Sequence, residues 1–468
     1  MFANFTCVLT PGASAQSWSL TWSDEFNGPA NSPINPQNWQ YDAGILNVNN
    51  EVEYYCAPGS STSPCDPANP NAYIDGSGHL VIQALRINSS GVPYSGSWTS
   101  ARLNSANNLE SFQYGRIESS MSLPLGPGLW PAWWALGTNI TSVGWPASGE
   151  IDFMENVPLS SGLGPGTISS TMHGGYASGN CYCGGNGMSR KYSFPASDPN
   201  GSDVTTFHTY GAIWSPNMVQ FYVDNPTNIF FVRTTDDVPA GFSWDFNHPF
   251  FLLLNLAVEG TSSWPGPPDT TTPSPAVMLV DYARVYSASP VTAPTMTAPS
   301  LSVTAGQSAS GTISLNSSAG SGRVYLSCST NAPQAACTIS SSDSLNQFTV
   351  DFSSASTATA KVSVTTTANT SAKMNLRMGL AGLGIGLFGL ALSRRSENRS
   401  GWLVMALLIC LCAVPSCGGG SGTAASTGGG TGSDGTPAGS YGVTVNADTV
   451  SNAGNACDAV LDIPLTVN

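Results

Sequence analysis

The sequence predicts an all-β protein built as a large sandwich followed by a smaller one, and three observations lead there. Fifty glycines and 33 prolines in 468 residues punctuate short apolar runs with turn-forming residues. Between Trp18 and Tyr286 no long stretch has the 3.6-residue periodicity of an amphipathic helix. Beyond residue 290 the composition turns to Ser, Thr, Ala and Pro, and period-two alternation then resumes in a separate block. A chain of this length exceeds one typical domain.

Taken in order, residues 1–16 read as a partial signal-like segment. The small-residue run before Gln16 suggests cleavage after Ala15, while the stretch preceding it lacks a basic start and a full apolar core. The expectation is therefore an origin inside a longer secretory signal. Residues 17–288 form the large sandwich. Strand-length runs at 79–85, 116–122, 218–223 and 250–258 are rich in β-branched and aromatic residues and are bounded by Gly, Pro, Asn or Ser. About a dozen such strands suggest two antiparallel sheets packed face to face.

Eleven cysteines include the close pairs Cys56/Cys65, Cys181/Cys183 and Cys328/Cys337. None has the paired CxxC spacing of a zinc site. In an exported protein Cys56–Cys65 and Cys328–Cys337 would each close a short loop, and free thiols are the other reading. The formal net charge of −14 argues against a nucleic-acid partner, which would call for a basic surface, and places no restriction on a neutral polysaccharide.

Charged residues make up 9% of the chain, yet three carboxylates fall within Glu150-Ile151-Asp152-Phe153-Met154-Glu155. On a strand Glu150 and Asp152 share one face, with Ile151 and Phe153 on the other. Strict alternation would turn Glu155 away, and one extra residue in a bulge at Phe153-Met154 returns it to the acidic face. Two carboxylates across a sugar are the machinery of glycoside hydrolysis; the retaining form needs them about 5–5.5 Å apart. Taken alone, an ExDxxE pattern is more often a solvated acidic face or a cation site.

The surrounding motifs are LTWSDEFNG (20–28), NNEVEYY (49–55), TSARL (99–103), FQYGRIE (112–118), GLWPAWWALG (128–137), GWPASGEIDFMEN (144–156), FHTYGAIWSP (207–216), HPFFLLLNLAV (248–258) and MLVDYARVY (278–286). In identity and order they resemble glycoside hydrolase family 16, in its laminarinase-like, endo-β-1,3-glucanase branch, over about residues 18–288. The resemblance implies a concanavalin-like β-jelly roll with a substrate cleft on its concave sheet. It also implies Glu150 as nucleophile, Glu155 as acid/base and Asp152 as the carboxylate between them. Trp130 and Trp134 share parity on the preceding strand, where indoles can stack on sugar rings; Trp133 has the opposite parity and is expected in the core. By residue-wise match the resemblance adds Arg102, His173, Asn49 or Asn50, and Trp264 as substrate-binding residues. Catalysis is expected to need no cofactor, and a structural Ca2+ is implied at Glu25 and Asp281 on the convex face. Two loops depart from the pattern: the glycine-rich one carrying Cys181-Tyr182-Cys183, and residues 258–264, which are longer and more acidic than the branch's Gly-Gly-Asn-Trp arrangement.

Residues 289–300 read as a linker and 301–370 as an Ig-like module like those appended to bacterial secreted proteins. Residues 371–417 contain two apolar runs of about 13–15 residues, short of the roughly 17–25 of a spanning helix, and so a possible membrane segment. Residues 418–440 are a Gly/Ser-rich linker, and 441–468 again alternate like strands. The function expected from the whole is a secreted or cell-surface endo-glucanase cleaving β-1,3 bonds of laminarin-like or mixed β-1,3/1,4-glucan by a retaining route, its partner a β-glucan. The alternatives are a non-hydrolytic β-glucan-binding protein, a hydrolase or transglycosylase of the same fold with another polysaccharide, and a surface adhesin.

Overall fold

A computed structural model of the chain describes residues 16–87, 96–107, 109–157, 163–176, 180–184, 187–261, 263–368, 435–450 and 457–468. The signal-like residues 1–15 and the apolar runs of 371–417 lie outside the described residues. No helix among the described residues is long and apolar enough to cross a membrane.

Two sheets make the large unit. The first has ten strands, ordered Ile229–Thr234, Met218–Val223, His208–Ser215, Gly115–Ser122, Ala276–Ala288, Leu80–Arg86, Trp98–Ser100 and Glu53–Tyr55, with Trp18–Asp24 and Ala72–Ile74 paired alongside. The second has seven, ordered Ser189–Ser193, Thr167–His173, Glu150–Glu155, Leu129–Gly137, Phe250–Val258, Arg102–Asn104 and Gln40–Asp42. The facing sides supply one core containing Trp133, Ile151, Phe153, Met172, Leu252, Leu254 and Leu256 from the seven-stranded sheet and Ile117, Met121, Ala212 and Trp214 from the other. Alternation along Leu129–Gly137 and Phe250–Val258 sends one parity into that core and turns the other to the opposite side of the sheet, where most of it is also covered. This places a nine-residue strand, WPAWWALG preceded by Leu129, at the centre of the sheet that carries the cleft.

The smaller unit is also a two-sheet sandwich. Thr295–Thr297, Ser308–Asn316, Thr357–Thr365 and Ala336–Ser341 form one sheet; Leu301–Val303, Ala459–Val467, Gly439–Asp448, Arg323–Thr330 and Thr349–Asp351 form the other. Its core joins Ile313, Leu315, Val362 and Val364 to Leu326, Val443, Val445, Ile463 and Leu465. The segment read as a linker, 289–300, is therefore partly structured: Thr295–Thr297 pairs with Ser314–Asn316 as an edge strand. Flanking prolines, which lack an N–H to donate, suit that edge and disguised the strand in the sequence. The C-terminal strands sit between Leu301–Val303 and Arg323–Thr330, so the second sheet needs residues from both sides of 371–434.

The two units pack together on the ten-stranded sheet, away from the seven-stranded one. Ile213, Met218, Tyr222 and Val232 meet Tyr325 and Val450 in a buried cluster. Around it, Arg323 donates to Gln220 (3.1 Å), Tyr325 to Asp236 (2.7 Å), Asn217 to Asp448 (3.0 Å) and Asn346 to Asp237 (2.6 Å). Disulfides Cys56–Cys65 and Cys328–Cys337 close loops in the large and small unit, with Cα separations of 5.7 and 5.9 Å, and Cys181 is bridged to Cys183.

Candidate active site

The acidic strand Glu150–Glu155 pairs on one side with Leu129–Gly137 and on the other with Thr167–His173, and both ladders break at the same place. Asp152 is opposite Trp134 and Thr171, the register then shifts, and Glu155 is opposite Ala132 and Ser169. Phe153 and Met154 both enter the core, at 1% and 0% exposure, so the extra residue is absorbed inward. Glu150, Asp152 and Glu155 consequently share the outer face, which is the phase change that a bulge produces.

That face is the wall of a cleft of about 780 Å³. Its floor takes one parity from each strand: Trp130, Ala132, Trp134 and Leu136; Ser169, Thr171 and His173; Ser189 and Lys191; Asn255 and Ala257. Asn49, Glu51, Arg102, Trp145 and Trp264 border it. Trp133, of the other parity, is fully buried against Phe153, with ring centroids 5.3 Å apart.

Hydrogen bonds assign each acid a different setting. Glu155 accepts from Trp130 Nε1 (3.1 Å) and Thr171 Oγ1 (3.2 Å). Glu150 accepts from Trp145 Nε1 (2.9 Å) and lies 3.6 Å from His173 Nε2. Asp152 Oδ2 is 3.1 Å from the same His173 nitrogen, a charge contact without hydrogen-bond alignment. Burial, reinforced by the Asp152 charge, pushes the Glu155 carboxyl up to about 8. Burial and the Glu150 charge push Asp152 up to about 7. Glu150 is also raised by burial, but the His173 cation pulls it back down. For His173 burial opposes the charge, yet Asp152 and Glu150 outweigh it and carry the imidazole up to about 9.

The other predicted residues divide. Arg102 stacks over Trp134 at 4.8 Å and donates Nε to Asp42 (2.8 Å), which fixes its fork at the cleft edge. Trp134 donates to Asn255 (2.8 Å), a neighbour contributed from the far strand. Trp264, 41% exposed, stands edge-on to Trp130 at 5.4 Å. Asn49 borders the cleft, whereas Asn50 does not: its carbonyl accepts the Gly260 N–H at 2.8 Å, so its part is to hold the neighbouring loop. Of the two residues implied for calcium, Glu25 is not free to hold one. Both oxygens of Glu25 are taken by Arg284 (2.9 and 2.6 Å), and a guanidinium there repels a cation. Asp281 lies at a register break of its strand. Sequence reasoning missed Trp145, Thr171, Asn255, Asp42 and Glu51. Trp145, Asn255 and Glu51 lay inside quoted motifs, and Thr171 shares parity with His173, whereas the contacts of Asp42 with Arg102 and of Asn255 with Trp134 cross long sequence separations.

A two-sheet fold with paired acids, one raised toward neutral pH and one beside a cation, on a tryptophan-lined cleft defines a glycoside hydrolase. Comparison with known proteins gives the family. The profile of Glycosyl hydrolases family 16 matches residues 69–284. A Beta-glucanase of Rhodothermus marinus is 33% identical over 285 residues, 58% of this chain and 86% of the relative. Glucan endo-1,3-beta-glucosidase A1 of Niallia circulans is 32% identical over 279 residues, 57% of this chain but 38% of the relative's length. Among solved structures, the endo-beta-1,3-glucanase from Pyrococcus furiosus shares 39% identity over 58% of this chain and 95% of its own, with a TM-score of 0.47. The chain belongs to glycosyl hydrolase family 16.

Proposed function

We propose that the protein is an exported endo-acting glucanase that cleaves β-1,3 bonds of laminarin-like or mixed β-1,3/1,4-glucan with retention of configuration. The observation that carries this reading is the bulge that sets Glu150, Asp152 and Glu155 on one cleft wall beside Trp130 and Trp134. Glu155, kept protonated by its burial and held by Trp130 and Thr171, donates its proton to the leaving glycosidic oxygen. Glu150, beside the imidazolium of His173, attacks the anomeric carbon and forms the glycosyl-enzyme. Glu155, now ionised, takes a proton from the incoming water, and the second displacement restores the β configuration. Asp152 contacts His173 between the two and shares its charge with both neighbours.

The substrate reading is supported by relatives named for β-1,3-glucan, including that of Niallia above, and by the relative of Rhodothermus, named a Beta-glucanase. Export is supported by two loop-closing disulfides, which persist in oxidising compartments. Association with a membrane or cell surface would rest on the apolar runs of 371–417, and fractionation of the native host reads it directly.

Incubation with laminarin, lichenan, agarose and xyloglucan, with reducing ends followed over time, tests the proposal. Laminarin should be cut faster than a pure β-1,4-glucan. Equal or faster cleavage of agarose or xyloglucan would replace the substrate, and laminarin binding without new reducing ends would replace hydrolysis by recognition.

A further inference from the structure

Three buried acids beside the cleft have no part in the chemistry above, and they link the two large sheets. Glu51 and Glu259 stand opposite each other in an isolated antiparallel bridge. It is flanked by bonds from Val52 N–H to Val258 O and from Gly260 N–H to Asn50 O, both 2.8 Å. That makes it a non-hydrogen-bonded pair, the kind that brings side chains closest on one side of the ladder. Glu53, two residues on, returns to the face of Glu51, and its Oε2 accepts the N–H of Val258 (2.8 Å). Glu51, Glu53 and Glu259 are 8%, 1% and 0% exposed. The strand Glu53–Tyr55 belongs to the ten-stranded sheet, whereas Glu259 follows the strand Phe250–Val258 of the seven-stranded one.

The contacts within this group hold only while some of its members carry protons. Glu51 bonds to Glu53 and takes further bonds from Asn49 and Tyr55. An ionised carboxylate accepts and never donates, so the Glu51–Glu53 bond needs a proton on one of the pair. Ser263 neighbours Glu259 but gives its own proton to Gly260 O (2.9 Å). Its oxygen is left to accept, which calls for a proton on the Glu259 carboxyl. The charged groups facing the cluster from the adjacent strands are Arg102 and Asp42, and Arg102 Nε is bound to Asp42 (2.8 Å). The Tyr55 phenol beside the acids is kept neutral by burial and by the charges of Glu53 and Glu51. Burial, then the Glu51 charge, raises the Glu259 carboxyl to about 8, and the same two causes raise Glu53. Without those protons, like charges would face each other across a buried bridge.

On the glucanase reading above, we propose that Glu51, Glu53 and Glu259 are positioning residues, a proton-sharing clasp that holds the Asn49 turn against the loop leading to Trp264, and that ionisation of the clasp releases this end of the cleft and weakens glucan binding. Asn49 and Trp264 both border the cleft, and Trp264 stands edge-on to Trp130. Separating the Glu51 segment from the Glu259 turn therefore moves two substrate contacts together and leaves Glu150 and Glu155 where they are. Affinity falls with the share of molecules whose clasp is closed.

Two measurements on the full chain test this, the first without glucan. A folded-state value raised above the unfolded one gives stability that is present at low pH and lost as pH rises through about 8. Glu259→Gln, a neutral mimic, should therefore melt within about a degree of the wild type at a pH of about 5 and roughly 3–5 °C above it at about 9. Glu53→Gln, which keeps an oxygen for the Val258 N–H, should shift in the same direction. The second measurement is binding of a laminari-oligosaccharide to Glu155→Gln, which lacks the catalytic acid that titrates in the same range. Its affinity should fall at least about tenfold between a pH of about 6 and about 9, and adding Glu259→Gln should remove most of that fall. Asp152 and His173 are common to both chains, so the difference belongs to the clasp. Melting curves of Glu259→Gln and Glu53→Gln that run parallel to the wild type at every pH would overturn the clasp. An affinity that falls equally with and without Glu259→Gln would overturn the positioning role even if the melting curves behave as expected. No binding at any pH would count against the glucan reading and withdraw the positioning role with it, while the melting curves still decide whether the three acids share protons.

Discussion

Glu150 and Glu155 lie on one strand, yet the reaction asks opposite things of them, and their surroundings supply the difference. The Glu155 carboxyl, raised to about 8 by burial and then by Asp152, enters the reaction as an acid. Glu155→Ala should lower turnover of natural glucan by about 10²–10⁴ while sparing glycosides whose leaving group needs no proton. Azide should restore turnover in that variant and yield the β-glycosyl azide. Glu150→Ala should be inactive on every glycoside, and NMR showing an α-anomer as the first product would require both roles to be withdrawn. The imidazolium of His173 offsets part of the rise that burial imposes on the Glu150 carboxyl. His173→Gln should therefore move the acidic limb of the kcat/KM profile upward by about 1–3 pH units, whereas a merely structural role would lower kcat at every pH. Stability carries the same signature. Because the folded-state value for Glu155 is raised, the folded form holds the proton longer, and its stabilising contribution is lost as pH rises from the unfolded value through about 8. Glu155→Gln, a neutral mimic, should raise Tm at a pH of about 9 and leave it nearly unchanged at about 5.

The bulged strand shows what sequence periodicity reaches and where it stops. Alternation alone required an extra residue between Asp152 and Glu155, because without it Glu155 faces the core. Phe153 and Met154 show where that residue goes: both pack inward, and Met154 is completely buried. Met154→Ala should destabilise the fold by about 2–5 kcal/mol in urea denaturation and also lower kcat, since the inner half of the bulge sets the outward aim of Glu155. A stability loss with kcat unchanged would detach the two. Parity likewise separated Trp130 and Trp134 from Trp133. It could not choose between Asn49 and Asn50, which are neighbours in one turn with φ of 51° and 65°. Nor does it report partners across distant strands, such as Asn255 on Trp134, Asp42 on Arg102 or Glu259 opposite Glu51. Those contacts are set by sheet order, which a one-dimensional pattern does not contain.

At the scale of the whole molecule the cleft and the second sandwich lie on different sheets, and this separates catalysis from stability. Every residue placed in the cleft precedes Pro265, so a chain ending at Ala288, the last residue of the strand paired with Trp18, should retain its turnover number on soluble laminarin. The same truncation uncovers Ile213, Met218, Tyr222 and Val232, and it leaves Gln220, Asp236 and Asn217 without Arg323, Tyr325 and Asp448. An exposed apolar patch of this kind promotes association, and burial of four such side chains contributes about 1.5–3 kcal/mol each when complete. The shortened chain should therefore melt several degrees lower and self-associate at concentrations where the full chain does not. Replacing Met218 and Val232 with polar residues in the shortened chain should restore its solubility without changing kcat. If the shortened chain instead folds, stays monomeric and loses hydrolysis of soluble laminarin, the second sandwich contributes to the cleft itself, and the division of labour drawn from the two sheets fails.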